Sequence, residues 1–511
     1  MRNDALVAVA SLATVVLLFN ACTDSTAEPE TALPSNFLWG TANSPWQAEG
    51  RNVPGGGSIA SNWSLWEDMG NVPGPTNLIG CGFYDNYAAD IALAAADGQN
   101  ALRMGVEWAR IEPQRGVFDM AVLDHYAAVI DEAKSHDMQV FLTLYHWVVP
   151  PWVADPQSGL DAFDIPMNTV LHDDFELFVR QVAIHLGSRI DYWVTFNEPF
   201  SVVSAGYLAG LHPPGKIADI DGATRYLINV LFMHARARSA LIQEDTTDSD
   251  GDGFATRIGI AKSANPFDPK NPTNVHDIAG ADRIDYIFNQ LVPNALVHGF
   301  LDVDLDTLTT NNTTIPPEGH YPQLEGTLDY MGLNYYGPVR ILGEVLPGLT
   351  IGPPLFGVPL LDVAEYDPSL PHNGLGREIN ADGLRRTLDI YEPYALPIYI
   401  LENGTDTSDH PQRARYLVEH IEVLRDAYLD GLDIRGYFQW SLTDNFEWTE
   451  GYTSQFGLYA IDPLNPSGNR TATNGVAAYR DIILHSGTLP PTLRDLHLGV
   501  PYQSSGGAST R

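Results

Sequence analysis

Ile398-Tyr399-Ile400-Leu401-Glu402-Asn403-Gly404 is an apolar run that ends in a carboxylate and a glycine. It reads as a buried strand that stops at a rim and delivers Glu402 there. Far upstream, Tyr192-Trp193-Val194-Thr195-Phe196-Asn197-Glu198-Pro199 repeats the pattern: an apolar run, then Asn-Glu, then a proline that ends the strand.

Working outward from these two runs, strand-like and helix-like segments alternate. The strands are expected over Phe37–Ser44, Asn100–Trp108, Gln139–Trp147, Tyr192–Pro199, Arg257–Ala264, Leu328–Tyr336, Pro397–Gly404 and Ile434–Leu442. Helices are expected over Tyr84–Asp97, Ala121–His136, Asp173–Gly187, Gly222–Gln243 and Pro411–Asp430. Strands apolar on both faces and alternating with helices imply a parallel sheet. Eight such units, with polar residues gathered at the strand C-termini, predict an α/β fold of the closed (β/α)8 type, a TIM barrel forming one catalytic domain over 35–490. An open doubly wound sheet is the structural alternative, but no Gly-x-Gly-x-x-Gly follows the first strand.

Three stretches depart from the repeat. Residues 341–380, rich in Gly and Pro, read as a long loop after the sixth strand, beside the barrel mouth. Residues 491–511 read as a frayed tail. Asp248-Ser249-Asp250-Gly251-Asp252-Gly253 matches the opening half of a calcium loop, with Asp248, Asp250 and Asp252 as ligands, but Gly259 stands where a bidentate Glu should close it. A solvated acidic turn explains the same residues.

The chain carries 28 basic and 64 acidic residues, a formal charge of −36. Nucleic acid and anionic membrane are therefore poor partners, since phosphate binding draws on Lys and Arg clusters. Such an acidic surface stays soluble in salt, and a saline habitat is expected. Residues 1–21 have the form of an export signal: Arg2, then an apolar run from Ala5 to Phe19 too short to span a bilayer. Cys22 follows, and 22–34 form a polar tether. This resembles the bacterial lipoprotein signal, which implies acylation of Cys22, a lipid anchor at the cell envelope, and no other membrane contact. A Cys22–Cys81 disulfide, or two idle thiols, is the other reading.

Two strand-end glutamates suit acid-assisted cleavage of a glycosidic bond. One must arrive protonated to assist the leaving oxygen, the other ionised to attack the anomeric carbon. Over residues 35–490 the chain resembles the family 1 glycoside hydrolases, retaining β-glycosidases. The matching elements occur in family order: Phe37-Leu38-Trp39-Gly40-Thr41-Ala42 with Gln47 and Glu49-Gly50; Arg103 with Glu107-Trp108-Ala109-Arg110-Ile111; Leu144-Tyr145-His146-Trp147; Asn197-Glu198-Pro199; Gly332-Leu333-Asn334-Tyr335-Tyr336; Glu402-Asn403-Gly404; and Trp440-Ser441-Leu442 through Asn445-Phe446-Glu447-Trp448. Asn-Glu-Pro alone would say little; the ordered series says much more.

The resemblance implies Glu198 as acid/base and Glu402 as nucleophile, with Arg103 and Tyr336 as partners of the nucleophile. Both partners stabilise an anion, so Glu402 should stay ionised while Glu198 holds the proton. The resemblance also implies Gln47, His146, Asn197, Asn334, Trp440, Glu447 and Trp448 as sugar contacts, a small β-glycoside or oligosaccharide as substrate, and no cofactor. A terminal β-D-glucosyl residue is the expected sugar, with β-galactosides or β-fucosides sharing the site. A transglycosylase would carry the same residues. A 6-phospho-β-glucosidase needs cations near the sugar's 6-position, and no Lys or Arg occurs between Arg435 and Arg470. A non-catalytic sugar-binding barrel would be natural only if a glutamate were missing. The chain departs from the family pattern at Val148, where Asp is usual, at Leu401, where Thr is common, and at Pro45-Trp46. Val148 is expected to alter the mouth and the aglycone preference.

Overall fold

The protein is described by a computed structural model, which covers residues 31–53, 56–302, 318–341, 370–499 and 502. The expected export signal, Cys22 and most of the loop 341–380 lie outside the described residues. Eight strands close into a barrel: β1 (Leu38–Ala42), β2 (Ala101–Gly105), β3 (Gln139–Tyr145), β4 (Tyr192–Asn197), β5 (Arg257–Ser263), β6 (Tyr330–Tyr335), β7 (Ile398–Asn403) and β8 (Ile434–Trp440). Their order around the ring follows the chain, and parallel pairing of β1 with β8 shuts it. Each expected strand is present, trimmed at the ends where the polar residues begin.

β4 and β7 are buried at every position. Their outward residues meet the helices; their inward residues fill the barrel, which is why the runs are apolar throughout instead of alternating. The interior is plugged by aromatic rings drawn from different strands. Phe141 stacks on Tyr192 with centroids 4.2 Å apart and meets Phe438 edge-on at 4.9 Å. Tyr330 meets Tyr399 at 5.2 Å, and the small residues Ala42, Ala101 and Ala261 make room for the rings. Each fully buried ring contributes about 2 kcal/mol of apolar burial. The plug leaves the polar strand ends standing on a dry floor.

The connecting layer comprises α1 (Phe83–Ala96), α2 (Met120–Ser135), α3 (Thr169–Leu186), α4 (Ile220–Glu244), α5 (Val275–Asp285, continued through a π-helical turn at Tyr286–Gln290 into Leu291–His298), α6 (Ala381–Tyr391), α7 (His410–Leu429) and α8 (Asn474–Leu484). Asp119, Asn168, Asp219, Asn380, Asp409 and Thr473 each cap the helix that follows by accepting a backbone N–H. A cap of this kind stabilises a helix start by about 1 kcal/mol.

The segment expected to be a frayed tail is not one over its first turns. Pro491–Leu498 forms α9. Pro491 is pre-set for the first helical position, Arg494 pairs with Glu422 of α7 at 2.5 Å, and His497 Nε2 lies 2.8 Å from Asp481 of α8. The short polar composition hid a helix held by docking. Among the acidic-loop residues, the expected trio does not assemble. Asp252 pairs with Arg257, and Asp191 joins Asp248 and Asp250 instead. Asp248 accepts from the backbone N–H groups of Gly251, Asp252 and Gly253, as an acidic turn does.

Gly404, read as a turn glycine, is required for a different reason. Its φ is not positive, but an added Cβ would stand 2.0 Å from the Trp440 carbonyl and 3.1 Å from the Gln439 amide. Here β7 passes so close to β8 that only hydrogen fits. Gly404→Ala is therefore expected to cost about 2–3 kcal/mol through overpacking, read as a lowered midpoint in thermal unfolding, together with reduced turnover because Glu402 and Trp440 are displaced.

Candidate active site

The functional side chains converge at the C-terminal ends of the strands, the face on which such barrels place their sites. A cavity of about 340 Å³ opens there, lined by Gln47, His146, Asn197, Glu198, Tyr336, Glu402, Trp440, Glu447 and Trp448 among others. Most of the sequence-predicted residues are thus brought to one wall. Arg103 and Asn334 are not on it: both are fully buried beneath, and each acts on the carboxylates from below.

The two glutamates reach the cavity through local irregularities. β7 carries an extra residue relative to both neighbours between Ile400 and Asn403, and β4 carries one relative to β5 between Val194 and Asn197. A bulge re-aims the side chain that follows it. Glu198 itself is left-handed, at φ 44° and ψ 64°, its N–H held by the Ala261 carbonyl at 2.7 Å. A non-glycine residue in that region costs about 1–3 kcal/mol and persists only where the surroundings over-determine it.

Glu402 Oε1 accepts from Arg103 Nη1 at 2.5 Å, and Oε2 accepts from the Tyr336 hydroxyl at 2.7 Å. Arg103 also donates to Asn197 Oδ1 at 2.6 Å, to the Leu401 carbonyl at 3.2 Å and to Thr143 Oγ1 at 3.3 Å. Asn334 donates to Asn197 Oδ1 at 3.1 Å and to Glu198 Oε1 at 2.8 Å. Ser201 donates to Glu198 Oε2 at 2.6 Å. One chain of hydrogen bonds therefore runs Glu402–Arg103–Asn197–Asn334–Glu198, and every donor in it points toward a carboxylate or toward Asn197.

Burial pushes the Glu402 carboxyl up to about 7; Arg103 opposes that, Glu198 adds to it, and the Tyr336 hydrogen bond opposes it. Burial thus works against the ionised Glu402 that its two donors favour; the donors were legible in the sequence, but the depth at which the carboxyl sits was not. Burial likewise raises Glu447 to about 8, assisted by Glu402. His146 is driven well below the ordinary imidazole range by burial and by Arg103, and is neutral. Its Nε2 lies 2.9 Å from Asn197 Nδ2 and so accepts, leaving Nδ1 as the protonated nitrogen. Nδ1 has no partner among the described residues.

Gln47 accepts a hydrogen bond from the Ser44 hydroxyl on Oε1 at 2.8 Å and donates from Nε2 to Glu447 Oε2 at 2.7 Å. A residue just past β1 is thereby bound to one past β8. Trp147 donates to the Asn197 carbonyl at 2.9 Å and packs against Trp448 at 4.4 Å. Val148, expected at the mouth, belongs instead to the apolar core with Trp147 and Val149. An isopropyl group gains by burial where a carboxylate would need a partner.

Sequence reading missed several wall residues. Ser201 lies three positions after Glu198 at a helix start, a capping-type spacing that signals it. Arg340, Arg377 and Glu378 come from the edges of the segment read only as a loop. Lys262 is fully buried, its Nζ 2.9 Å from the Ser263 carbonyl and 4.7 Å from the Phe288 ring, and burial lowers it to about 7.

Residues 29–488 match the family described as Glycosyl hydrolase family 1. The beta-glucosidase A of Thermotoga maritima is 31% identical over 450 residues, covering 84% of this chain and 93% of its own length. A beta-galactosidase of Pyrococcus woesei is 27% identical over 89% of this chain and 97% of its own. The solved family 1 b-glucosidase from Thermotoga maritima superposes with a TM-score of 0.74 at 28% identity, over 90% of this chain and 99% of that one. With the family match running nearly from the first described residue to the end of the barrel, this chain belongs to glycosyl hydrolase family 1 and is a β-glycosidase.

Proposed function

We propose that the protein hydrolyses terminal non-reducing β-D-glucosyl residues with retention, through a covalent glycosyl–enzyme on Glu402. The observation that carries this reading is the unlike environment of the two carboxylates on one cavity. Both oxygens of Glu402 are held by donors, one of them a guanidinium, which is the setting for negative charge. Glu198 meets an amide and a hydroxyl, and a hydroxyl can accept from a protonated carboxyl as readily as donate to an ionised one.

In the first step a Glu402 oxygen bonds to the anomeric carbon as the glycosidic bond breaks, and the Glu198 proton goes to the departing oxygen. In the second, Glu198 takes a proton from water, the water oxygen bonds to the anomeric carbon, and Glu402 is released.

His146 Nδ1–H, the Gln47–Glu447 pair and the Trp440 face supply donors, acceptors and an apolar floor for one sugar ring. The same pair accepts a hydroxyl in either orientation, which supports β-galactosides and β-fucosides as second substrates. The relatives named above, a glucosidase and a galactosidase, fit that breadth. We further propose export and acylation at Cys22, supported by the sequence signal alone; mass spectrometry of the mature protein should find a lipidated Cys22 at the N-terminus.

Two substitutions test the roles. Glu402→Ala is expected to abolish turnover of an aryl β-glucoside and to regain it with azide, giving the α-glucosyl azide. Because it leaves Arg103 buried without its anion, at a cost of about 3–5 kcal/mol, the assay is run below the variant's measured unfolding midpoint. Glu198→Ala should still release an activated dinitrophenol while stalling on cellobiose; wild-type rates for both variants on cellobiose would reject the assignment.

The pH dependence follows from the same pair. With Glu402 raised to about 7, kcat/KM should fall as pH drops below neutrality, because the nucleophile is then protonated. Glu198 is among the causes of that elevation, so Glu198→Gln should move this acidic limb to lower pH on a dinitrophenyl glucoside. A limb that stays in place or moves upward would contradict the coupling.

A further inference from the structure

The cavity wall carries two guanidinium groups whose situations differ. Arg340 is committed: its Nη2 lies 2.9 Å from Glu378, which is itself buried and also accepts from Asn380. Arg377 makes no ion pair with any described residue, although acids outnumber bases 64 to 28 in this chain; its charge acts on Glu447 across the cavity without contact. It is exposed at the open side of the cavity, with its guanidinium carbon 5.5 Å from the centroid of the Tyr336 ring, the same ring whose hydroxyl holds Glu402.

Its backbone is fixed. Asn373 Oδ1 accepts the Arg377 N–H at 2.9 Å, and the Asn373 N–H is accepted by the Arg377 carbonyl at 2.9 Å. Gly374 N–H is pinned to the Asp406 carbonyl at 2.7 Å. The cation thus stands on a closed turn above the sugar site and is not on a loose tip. The ring-binding residues Gln47 and Trp440 are buried at the closed end, so the departing half of a substrate must lie toward the mouth, where Arg377 is.

We propose that Arg377 makes the aglycone side of the cavity selective for β-glycosides whose leaving group carries a carboxylate. The inference rests on the hydrolytic reading above and names the class of aglycone that reading leaves open. A planar guanidinium that is always charged and already oriented by an aromatic face can take a carboxylate through two N–H groups. A neutral aglycone gains no such contact. The carboxylate reaches the mouth without meeting a bare anion at Glu378, because Arg340 neutralises it.

The test compares 4-(carboxymethyl)phenyl and 4-(carbamoylmethyl)phenyl β-glycosides, which share shape and, with a methylene insulating the ring, have leaving groups of comparable acidity, in both the glucosyl and galactosyl series. For the full-length wild-type protein at low salt, kcat/KM is expected to favour the carboxylate by about fivefold. That ratio should shrink toward one in 1 M NaCl as the charge is screened and in Arg377→Gln, and should be partly kept in Arg377→Lys. A wild-type ratio at or below one, or a ratio indifferent to Arg377→Gln, overturns the proposal. A wrong sugar assignment shows separately, as loss of the whole glucosyl series in every variant while the galactosyl series still reads the ratio. Turnover of neither series would remove the hydrolytic reading and this inference with it.

Discussion

A fully buried arginine between strands holds this site together. Arg103 rises from β2 and binds Thr143 on β3, Asn197 on β4 and Glu402 at the end of β7, spanning the barrel interior just above the aromatic plug. A guanidinium without partners at that depth would cost several kcal/mol. Its ligands are therefore fixed in place as firmly as it is, and the proposed nucleophile is one of them. Fold stability and preorganisation are the same set of bonds here.

That arrangement has an electrostatic price, which the cavity spreads over several groups. Glu198, Glu402 and Glu447 share one cavity. Arg103 answers Glu402 and Arg340 answers Glu378, while Glu447 has an amide and the more distant charge of Arg377, so burial and Glu402 leave it raised to about 8. A carboxyl that is partly protonated near neutrality can both donate to and accept from a hydroxyl. In the proposed reaction, the burial that couples the acid pair would also suit Glu447 to a neutral hydroxyl.

The ring of strands was legible because burial on both faces leaves unbroken apolar runs, and because Glu198 and Glu402 each end such a run. The catalytic neighbours were legible through the family resemblance of short motifs. What escaped depends on depth, on register or on a distant fold-back. Nothing local in Ile-Leu-Glu-Asn states that Glu402 is desolvated enough to titrate near 7, or that a bulge turns it inward. Asn334 reads like a ligand but lies under the wall, where it ties Glu198 to Asn197. Arg377 lies in a Gly- and Pro-rich stretch with no periodicity to mark it, and α9 shows only once α7 is there to receive it.

The closure of the sheet by β1 against β8 has a consequence for biosynthesis. Gln47 and Glu447, which meet across that seam, are 400 residues apart, and at ribosomal speeds of about 5–20 residues per second the first waits roughly 20–80 s for the second. Throughout that interval the nascent sheet has two open margins, each able to template pairing with another chain. A product terminated before β8 lacks Trp440, Glu447 and Trp448, and with them one side of the cavity and the partner of Gln47.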